Sequence, residues 1–227
     1  GDPAPPAIAR RMTQALAHRG PDGEGAFTDG PVSLGHRRLA ILDVSPAGHQ
    51  PMATSDGRWV ISYNGEVFNF EELRVELEAR GHAFRSRSDT EVLLHGWAEW
   101  GEAVLPRLNG MFAFAIWDER DRELVLARDR YGVKPLYYAR VGDELLFASE
   151  VKGILAHPGF KNALDLEGLV EYFTFQNFFT DRTLFGGVRL LRPASVLRVR
   201  PGTASPLSPL RTFWDFAFVE PDGPVDA

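Results

Sequence analysis

Residues 109–127 read NGMFAFAIWDERDRELVLA, which favours two antiparallel strands joined by a charged turn. Large apolar side chains alternate with alanines from Phe112 to Ile116, and the apolar stretch Leu124–Ala127 follows the turn. Alternation with a period of two is the spacing of a strand that buries one face. Two such runs around a short polar turn are typical of a hairpin. The middle of the chain is therefore predicted to form an antiparallel sheet.

The same reasoning predicts the elements on either side of this hairpin. Strands are predicted at residues 32–42, 58–63, 136–141, 144–148, 183–188 and 195–199, and helices at 7–17, between Asn69 and Gly81, between Ser88 and Gly101, at 151–156 and at 166–173. Asn69 and Ser88 are the predicted N-caps because a glutamate, Glu72 or Glu91, follows each of them three residues later. Strands outnumber helices and follow one another in sequence, which indicates an α+β fold of antiparallel sheets with segregated helices.

Length and composition exclude several classes of protein. The 227 residues are 44% hydrophobic, as in a globular domain with a substantial core, and the net charge of -6 comes from 31 acidic and 25 basic residues. This charge balance disfavours a nucleic acid or an anionic membrane as partner. The longest apolar run, Met111–Trp117, is far shorter than the roughly 20 residues that span a bilayer. We therefore expect a cytoplasmic protein.

The chain contains no cysteine, which excludes disulfides, cysteine-ligated zinc and thiol chemistry within this sequence. Its 6 histidines show neither i,i+4 pairing on a helix nor the His-Glu-x-x-His pattern of zinc proteases. Its 22 glycines include no phosphate loop and no dinucleotide fingerprint. We therefore expect neither a metal nor a bound nucleotide in this chain.

A few polar residues have the chemistry to bind a free amino acid, which needs a cation for its α-carboxylate and carboxylates for its ammonium group. Arg38 lies near the end of a predicted strand, residues 64–66 lie in a predicted turn, and Asp89 begins a predicted helix. Arginine suits the first role because its fork pairs bidentately and stays protonated. Taken singly, each position also has a plainer explanation: a solvated strand arginine, an Asn-Gly turn and a helix cap.

Eight motifs in order resemble those of the amidotransferase domain of glutamine-dependent asparagine synthetases, a class II, N-terminal-nucleophile glutaminase. They are HRGPD at 18–22, RLAILD at 38–43, QPM at 50–52, YNGEVFN at 63–69, SDTE at 88–91, NGMFAF at 109–114, RDRYGVKPLYY at 128–138 and FASEVK at 147–152. The resemblance implies an N-terminal-nucleophile hydrolase fold, an αββα sandwich of two antiparallel sheets between helical layers. It assigns residues 1–215 to this domain, and 216–227 to the start of a linker to a synthetase domain.

The resemblance also implies how L-glutamine would bind. Arg38 would pair with its α-carboxylate, and Glu66 and Asp89 would hold its ammonium group. Leu39 and Ile41 would line the pocket through their backbone. The implied partners are thus glutamine and a C-terminal synthetase domain, and the oligomeric state, a homodimer included, stays open.

The implied reaction needs an oxyanion hole and a nucleophile. The side-chain amide of Asn64 and the backbone N–H of Gly65 would form the hole, and fixed donors of this kind stabilise a tetrahedral oxyanion by about 10²–10³-fold in rate per donor. The family's nucleophile is an N-terminal cysteine whose own α-amino group is the base, whereas this sequence begins at Gly1 and has no cysteine. Two explanations stay open. The first is that the sequence omits a segment with the nucleophile strand. The second is that the protein is a non-catalytic pseudo-glutaminase similar to the β-lactam-synthetase-like branch.

The function implied by the resemblance is hydrolysis of glutamine to glutamate and ammonia, with ammonia used to make an amide on aspartate. ATP and magnesium would belong to the synthetase domain, and no cofactor is expected in residues 1–215. The sequence by itself should be inactive as a glutaminase because it lacks the cysteine. The final acceptor of the ammonia also stays open.

Overall fold

A computed structural model describes the protein at residues 4–203 and 207–217. Its helices are α1 Pro6–Gln14, α2 Phe70–Ala79, α3 Asp89–Trp100, α4 Val151–Leu155 and α5 Leu166–Phe175. Its strands are β1 Gly23–Asp29, β2 Val32–Arg38, β3 Met52–Ala53, β4 Trp59–Val67, β5 Gly110–Asp118, β6 Glu123–Arg128, β7 Tyr137–Val141, β8 Glu144–Ala148, β9 Val188–Leu190, β10 Ser195–Val199 and β11 Arg211–Thr212. The mixture of antiparallel sheets and packed helices confirms the α+β prediction.

The largest sheet has six strands in the order β11-β10-β6-β5-β4-β3, and every neighbouring pair is antiparallel. The predicted hairpin of residues 109–127 forms its centre, with Ile116 opposite Val125. On the other side of β5, Tyr63 of β4 lies opposite Phe114. The alternation that predicted β5 also determines how its two faces are used.

One face of this sheet is covered by α2 and α3. The larger side chains of β5, Phe112, Phe114 and Ile116, pack there against buried residues such as Leu77 of α2 and Leu93 of α3. At roughly 1.5–3 kcal/mol for each fully buried apolar side chain, this layer is a major source of stability. The two helices therefore fix the position of the central strands from one side.

The opposite face packs on two smaller sheets, β1-β2 and β8-β7-β9. Trp117 of β5 and Leu34 of β2 belong to this second buried cluster. On β8, Leu145 and Phe147 pack against the same cluster, whereas Leu146 faces a third cluster that includes Ile154 of α4 and Met12 and Leu16 next to it. The layers thus run helix, sheet, sheet, helix, which is the predicted αββα sandwich.

The Asn64-Gly65 turn prediction is wrong, because residues 64–66 are part of β4. Gly65 pairs with Phe112, and Glu66 pairs with Met111. Pairing with β5 holds residues 64–66 in an extended strand and thereby overrides the local turn preference of Asn-Gly. The strand predicted at 58–63 therefore continues to Val67, and the candidate site residues lie on a rigid strand.

The two predicted capping boxes have different outcomes. Ser88 does cap α3, since its Oγ accepts a hydrogen bond from the N–H of Glu91 at 3.3 Å. Asn69 does not cap α2 with its side chain. Its amide instead donates to the carbonyl of Arg107 at 3.0 Å and accepts from the N–H of Asn109 at 2.9 Å. A contact 40 residues away in sequence thus overrides the local capping pattern.

Several other boundaries differ from the predictions. Strand β1 was not predicted at all, β2 ends at Arg38 instead of residue 42, and α1 ends at Gln14. The strand predicted at 183–188 is a single bridge at Phe185 followed by β9. The predicted linker at 216–227 falls, from residue 218 onward, outside the described residues. No helix in the described ranges has the length and apolar character needed to cross a membrane.

Candidate functional site

The predicted charged and oxyanion-hole residues come from three different elements. Arg38 is the last residue of β2, residues 64–66 lie in β4, and Asp89 is the first residue of α3. The strand β4 contacts both β2 and α3, so it connects the other two elements. The structure brings Glu66 and Asp89 close enough to interact electrostatically.

Asp89 is buried, with 6% of its surface exposed. Its Oδ2 accepts one hydrogen bond from the hydroxyl of Tyr63 at 2.7 Å and another from the backbone N–H of Val67 at 3.0 Å. Burial raises the pKa of Asp89, the hydrogen bonds from Tyr63 and Val67 oppose that rise, and the negative charge of Glu66 adds to it. The site therefore concentrates negative charge where water is largely excluded.

Gln50 links β4 to α3 beside Asp89. Its Oε1 accepts a hydrogen bond from the backbone N–H of Tyr63 at 2.7 Å, and its Nε2 donates to Oγ1 of Thr90 at 3.3 Å. The sequence by itself indicates no role for Gln50 or Tyr63. Their positions inside the QPM and YNGEVFN motifs were the only signal that could have identified them.

Asn64 contributes an unused donor. Its Nδ2 is buried and has no hydrogen-bond partner in the described part of the chain. A buried polar group without a partner costs about 1–3 kcal/mol. The neighbouring Gly65 lies so close to β5 that an added Cβ would be 2.3 Å from the carbonyl oxygen of Met111. The site thus combines a free amide donor at Asn64 with a glycine at position 65, whose backbone lies directly against β5.

Arg38 holds the segment that follows β2. Its guanidinium donates to the carbonyl of Ser45 at 2.9 Å and also bonds the carbonyl of Asp43. Five N–H groups are present on a guanidinium, so these two bonds do not use all of its donors.

His36 lies two residues before Arg38 on β2. Burial, together with the charges of His49 and Arg38, lowers the pKa of His36 to about 4, which makes His36 neutral at physiological pH.

The side chains of Leu39 and Ile41 do not form an apolar pocket wall. They are 56% and 68% exposed. Their backbone roles stay predictions.

Among residues 4–203 and 207–217, no group of three or more metal-ligating side chains is arranged to hold a metal ion.

Residues 2–214 match the family model described as a glutamine amidotransferase domain. The chain belongs to this family. The glutamine-hydrolysing asparagine synthetase 3 of Bacillus subtilis (strain 168) is 48% identical over 190 residues, which cover 82% of this chain and 31% of that protein. Amidase chry2 of Gibberella zeae is 37% identical over 206 residues, which cover 89% of this chain and 29% of that protein.

Among solved structures, the amidotransferase domain is similar to a glutamine phosphoribosylpyrophosphate amidotransferase from B. subtilis, with a TM-score of 0.71 and 21% identity. The match covers 94% of this chain and 48% of that chain. It confirms the N-terminal-nucleophile amidotransferase fold. The domain spans less than a third of the length of the two curated relatives described above.

Proposed function

We propose that this amidotransferase domain binds L-glutamine and, in a form that carries a terminal cysteine, hydrolyses it to glutamate and ammonia. Two observations carry the proposal: buried Asp89 feels the negative charge of Glu66, and the unpaired amide of Asn64 lies on the same strand as Glu66, two residues before it. The two carboxylates suit a ligand ammonium group, and the amide suits an oxygen of the ligand. Glutamine has both groups.

The ammonium group is assigned to Asp89 and Glu66. A buried carboxylate near a second negative charge is unfavourable until a cation compensates it. The α-ammonium of an amino acid supplies that charge without a permanent counter-ion in the protein. Binding should therefore be strongly selective for ligands with a free α-amino group.

The α-carboxylate is assigned to Arg38, at the end of β2. Its guanidinium already makes two bonds to backbone carbonyls, which restrict its orientation. A charge-assisted hydrogen bond from a fixed guanidinium is stronger than one between neutral groups. Leu39 and Ile41 would contribute backbone groups along the same side of the pocket.

Catalysis is assigned to the oxyanion hole formed by Asn64 and Gly65. Attack on the side-chain amide of glutamine converts its carbonyl oxygen to an oxyanion, which the Asn64 amide and the Gly65 N–H stabilise. The nucleophile is a terminal cysteine with its own α-amino group as base. Because the present sequence has no cysteine, it binds glutamine without hydrolysing it.

The released ammonia would be used by a synthetase domain. Relatives named as glutamine-hydrolysing asparagine synthetases support an acceptor whose amide is asparagine, which is aspartate. ATP and magnesium as cofactors of that second domain stay predictions. A cytoplasmic location stays a prediction. The amidotransferase domain would then supply only the ammonia.

Glutamine binding to residues 1–227 tests the first part of the proposal. We expect a saturable dissociation constant by NMR titration, weakened at least about tenfold in Arg38→Ala and in Asp89→Asn, since each change removes a charge-assisted bond. Arg10→Ala is the matched control, because Arg10 is exposed on α1. Absence of binding by the wild-type chain would contradict the proposal.

Glutamate release tests the second part. A form of the protein that begins with the family's cysteine should release glutamate from glutamine, and its Arg38→Ala variant should not. The present chain should release none. If the cysteine form is folded, as shown by circular dichroism, and still inactive, the domain is a pseudo-glutaminase.

A further inference from the structure

Tyr63 is a buried phenol whose hydroxyl contacts the proposed ammonium site. It is 4% exposed and belongs to the core cluster between β4 and the helices. We propose that Tyr63 is a positioning residue that fixes the Asp89 carboxylate and thereby sets the preference of the site for ligands with an α-ammonium group. This inference rests on the proposed glutamine site.

The geometry of Asp89 depends on β4. Its Oδ2 receives the hydroxyl of Tyr63 and the backbone N–H of Val67, both from that strand. Two donors on one oxygen restrict the rotation of the carboxyl group. The Val67 N–H belongs to the backbone, and only a proline would remove it, at the cost of disturbing β4. Tyr63 is therefore the donor that a side-chain substitution can remove.

Tyr63 is itself held in place by a closed chain of contacts. Its backbone N–H donates to Gln50, and Gln50 donates to Thr90, which follows Asp89 in α3. From Asp89 the chain returns to Tyr63 through the phenol hydrogen bond of 2.7 Å. Networks of this kind restrain each member more than an isolated bond does. The start of α3 is therefore tied to β4 on both sides of the carboxylate.

The phenol also favours the charged form of Asp89. Burial and the neighbouring Glu66 raise the pKa of Asp89, and the hydrogen bond from Tyr63 works against both. A protonated Asp89 would lose its attraction for an ammonium group. Loss of the hydroxyl should consequently weaken ammonium recognition while leaving recognition of the rest of the ligand in place.

The test compares glutamine with 4-carbamoylbutanoate, which is glutamine without its α-amino group. Dissociation constants for both ligands are measured by NMR titration on wild type and Tyr63→Phe. We expect Tyr63→Phe to weaken glutamine binding about tenfold, the effect of a hydrogen bond to a charged group. Binding of 4-carbamoylbutanoate should change by less than about twofold, since it makes no ammonium contact. A purely structural role of Tyr63 would weaken both ligands equally.

Tyr138→Phe is the matched control, because Tyr138 is a partly buried tyrosine of β7 in a different cluster. It should leave both affinities unchanged. If wild type does not bind glutamine, the proposed function fails. If wild type prefers glutamine and Tyr63→Phe keeps the full preference, this inference alone is overturned.

A second variant applies if Tyr63→Phe does not fold. Thr90→Val removes the acceptor of the Gln50 side chain but preserves the shape of the residue. We expect it to reduce the preference for glutamine about threefold, the effect of a neutral hydrogen bond. An unchanged preference in Thr90→Val would overturn the inference.

Discussion

At Gly65 the backbone of β4 lies against the backbone of β5 with no space for a side chain. A Cβ there would be 2.3 Å from the carbonyl oxygen of Met111 and 2.8 Å from Cα of Phe112. We expect Gly65→Ala to lower the free energy of unfolding by about 3 kcal/mol, because neither backbone atom can move away cheaply. Urea denaturation followed by tryptophan fluorescence measures this change.

Gly23→Ala is the matched control in a strand. Its added Cβ would be 3.6 Å from Cβ of Arg38, an ordinary contact distance. We expect the free energy of unfolding to change by less than about 1 kcal/mol. Equal losses in the two variants would show that Gly65 has no special packing constraint.

Single residues of the site were recognisable from the sequence to different degrees. Arg38 and Asp89 could be proposed as ligand-binding residues from the motifs that contain them. The unpaired state of the Asn64 amide could not, because it depends on what β5 and the neighbouring layers place around it. Tyr63 was missed for a similar reason. A tyrosine in an apolar alternation predicts core packing, and only the fold shows that its hydroxyl reaches Asp89.

The element that delivers Asp89 is stabilised by Glu91 in the first turn of α3. Its carboxylate accepts hydrogen bonds from the N–H groups of Arg85 and Ser86 and from the Ser86 hydroxyl. Burial alone raises the pKa of Glu91, but bonds from His95, Ser86 and Arg85 outweigh it and lower the pKa from 4.5 to about 2. Ionised Glu91 therefore stabilises the fold above pH 4.5, and this contribution is lost as the pH falls towards 2.

We expect Glu91→Gln to lower the free energy of unfolding at neutral pH by about 3 kcal/mol, the value of this pKa shift. The difference from wild type should narrow at about pH 3, because Glu91 is then protonated in the unfolded chain but still ionised in the folded protein. Urea titrations at both pH values measure it. Glu72→Gln, on the exposed side of α2, should have almost no effect. A gap that stays constant with pH would contradict the assignment to the charge of Glu91.

Elements defined by local patterns were predicted well. The hairpin of β5 and β6 and the pair β7 and β8 follow from alternation and turn residues that are close in sequence. The extension of β4 to Val67 depends instead on β5, more than 40 residues further along the chain. Pairing over such separations leaves no local signal, so the end of β4 was mistaken for a turn.

At the scale of the whole molecule, α5 presents an apolar face to solvent. Leu166, Val170 and Phe173 are spaced four and three residues apart, so they share one side of the helix, and each is at least 66% exposed. Exposed apolar patches of this kind promote association. The chain alone should therefore self-associate as its concentration rises.

We expect the double variant Val170→Ser, Phe173→Ser to reduce this association and to leave glutamine binding unchanged. Sedimentation velocity over a range of concentrations measures the first property, and NMR titration the second. Val75→Ser on α2 is the control, since Val75 is 67% exposed and lies on a largely polar helix. Identical sedimentation of wild type and the double variant would show that the α5 face does not drive association.

The nine paired positions between β4 and β5 also determine on which side of the sheet each group of the site is presented. Tyr63 belongs to the cluster under the helices, whereas Ser62 hydrogen-bonds the carbonyl of Gly35 in the neighbouring sheet. A slip of one residue would exchange these two sides along the whole strand. Asn64 would then face the helices, and the tyrosine hydroxyl would point away from Asp89. A slip of the whole strand by one residue would thus invert the site while preserving its composition, which makes strand register the property that an engineered version must keep.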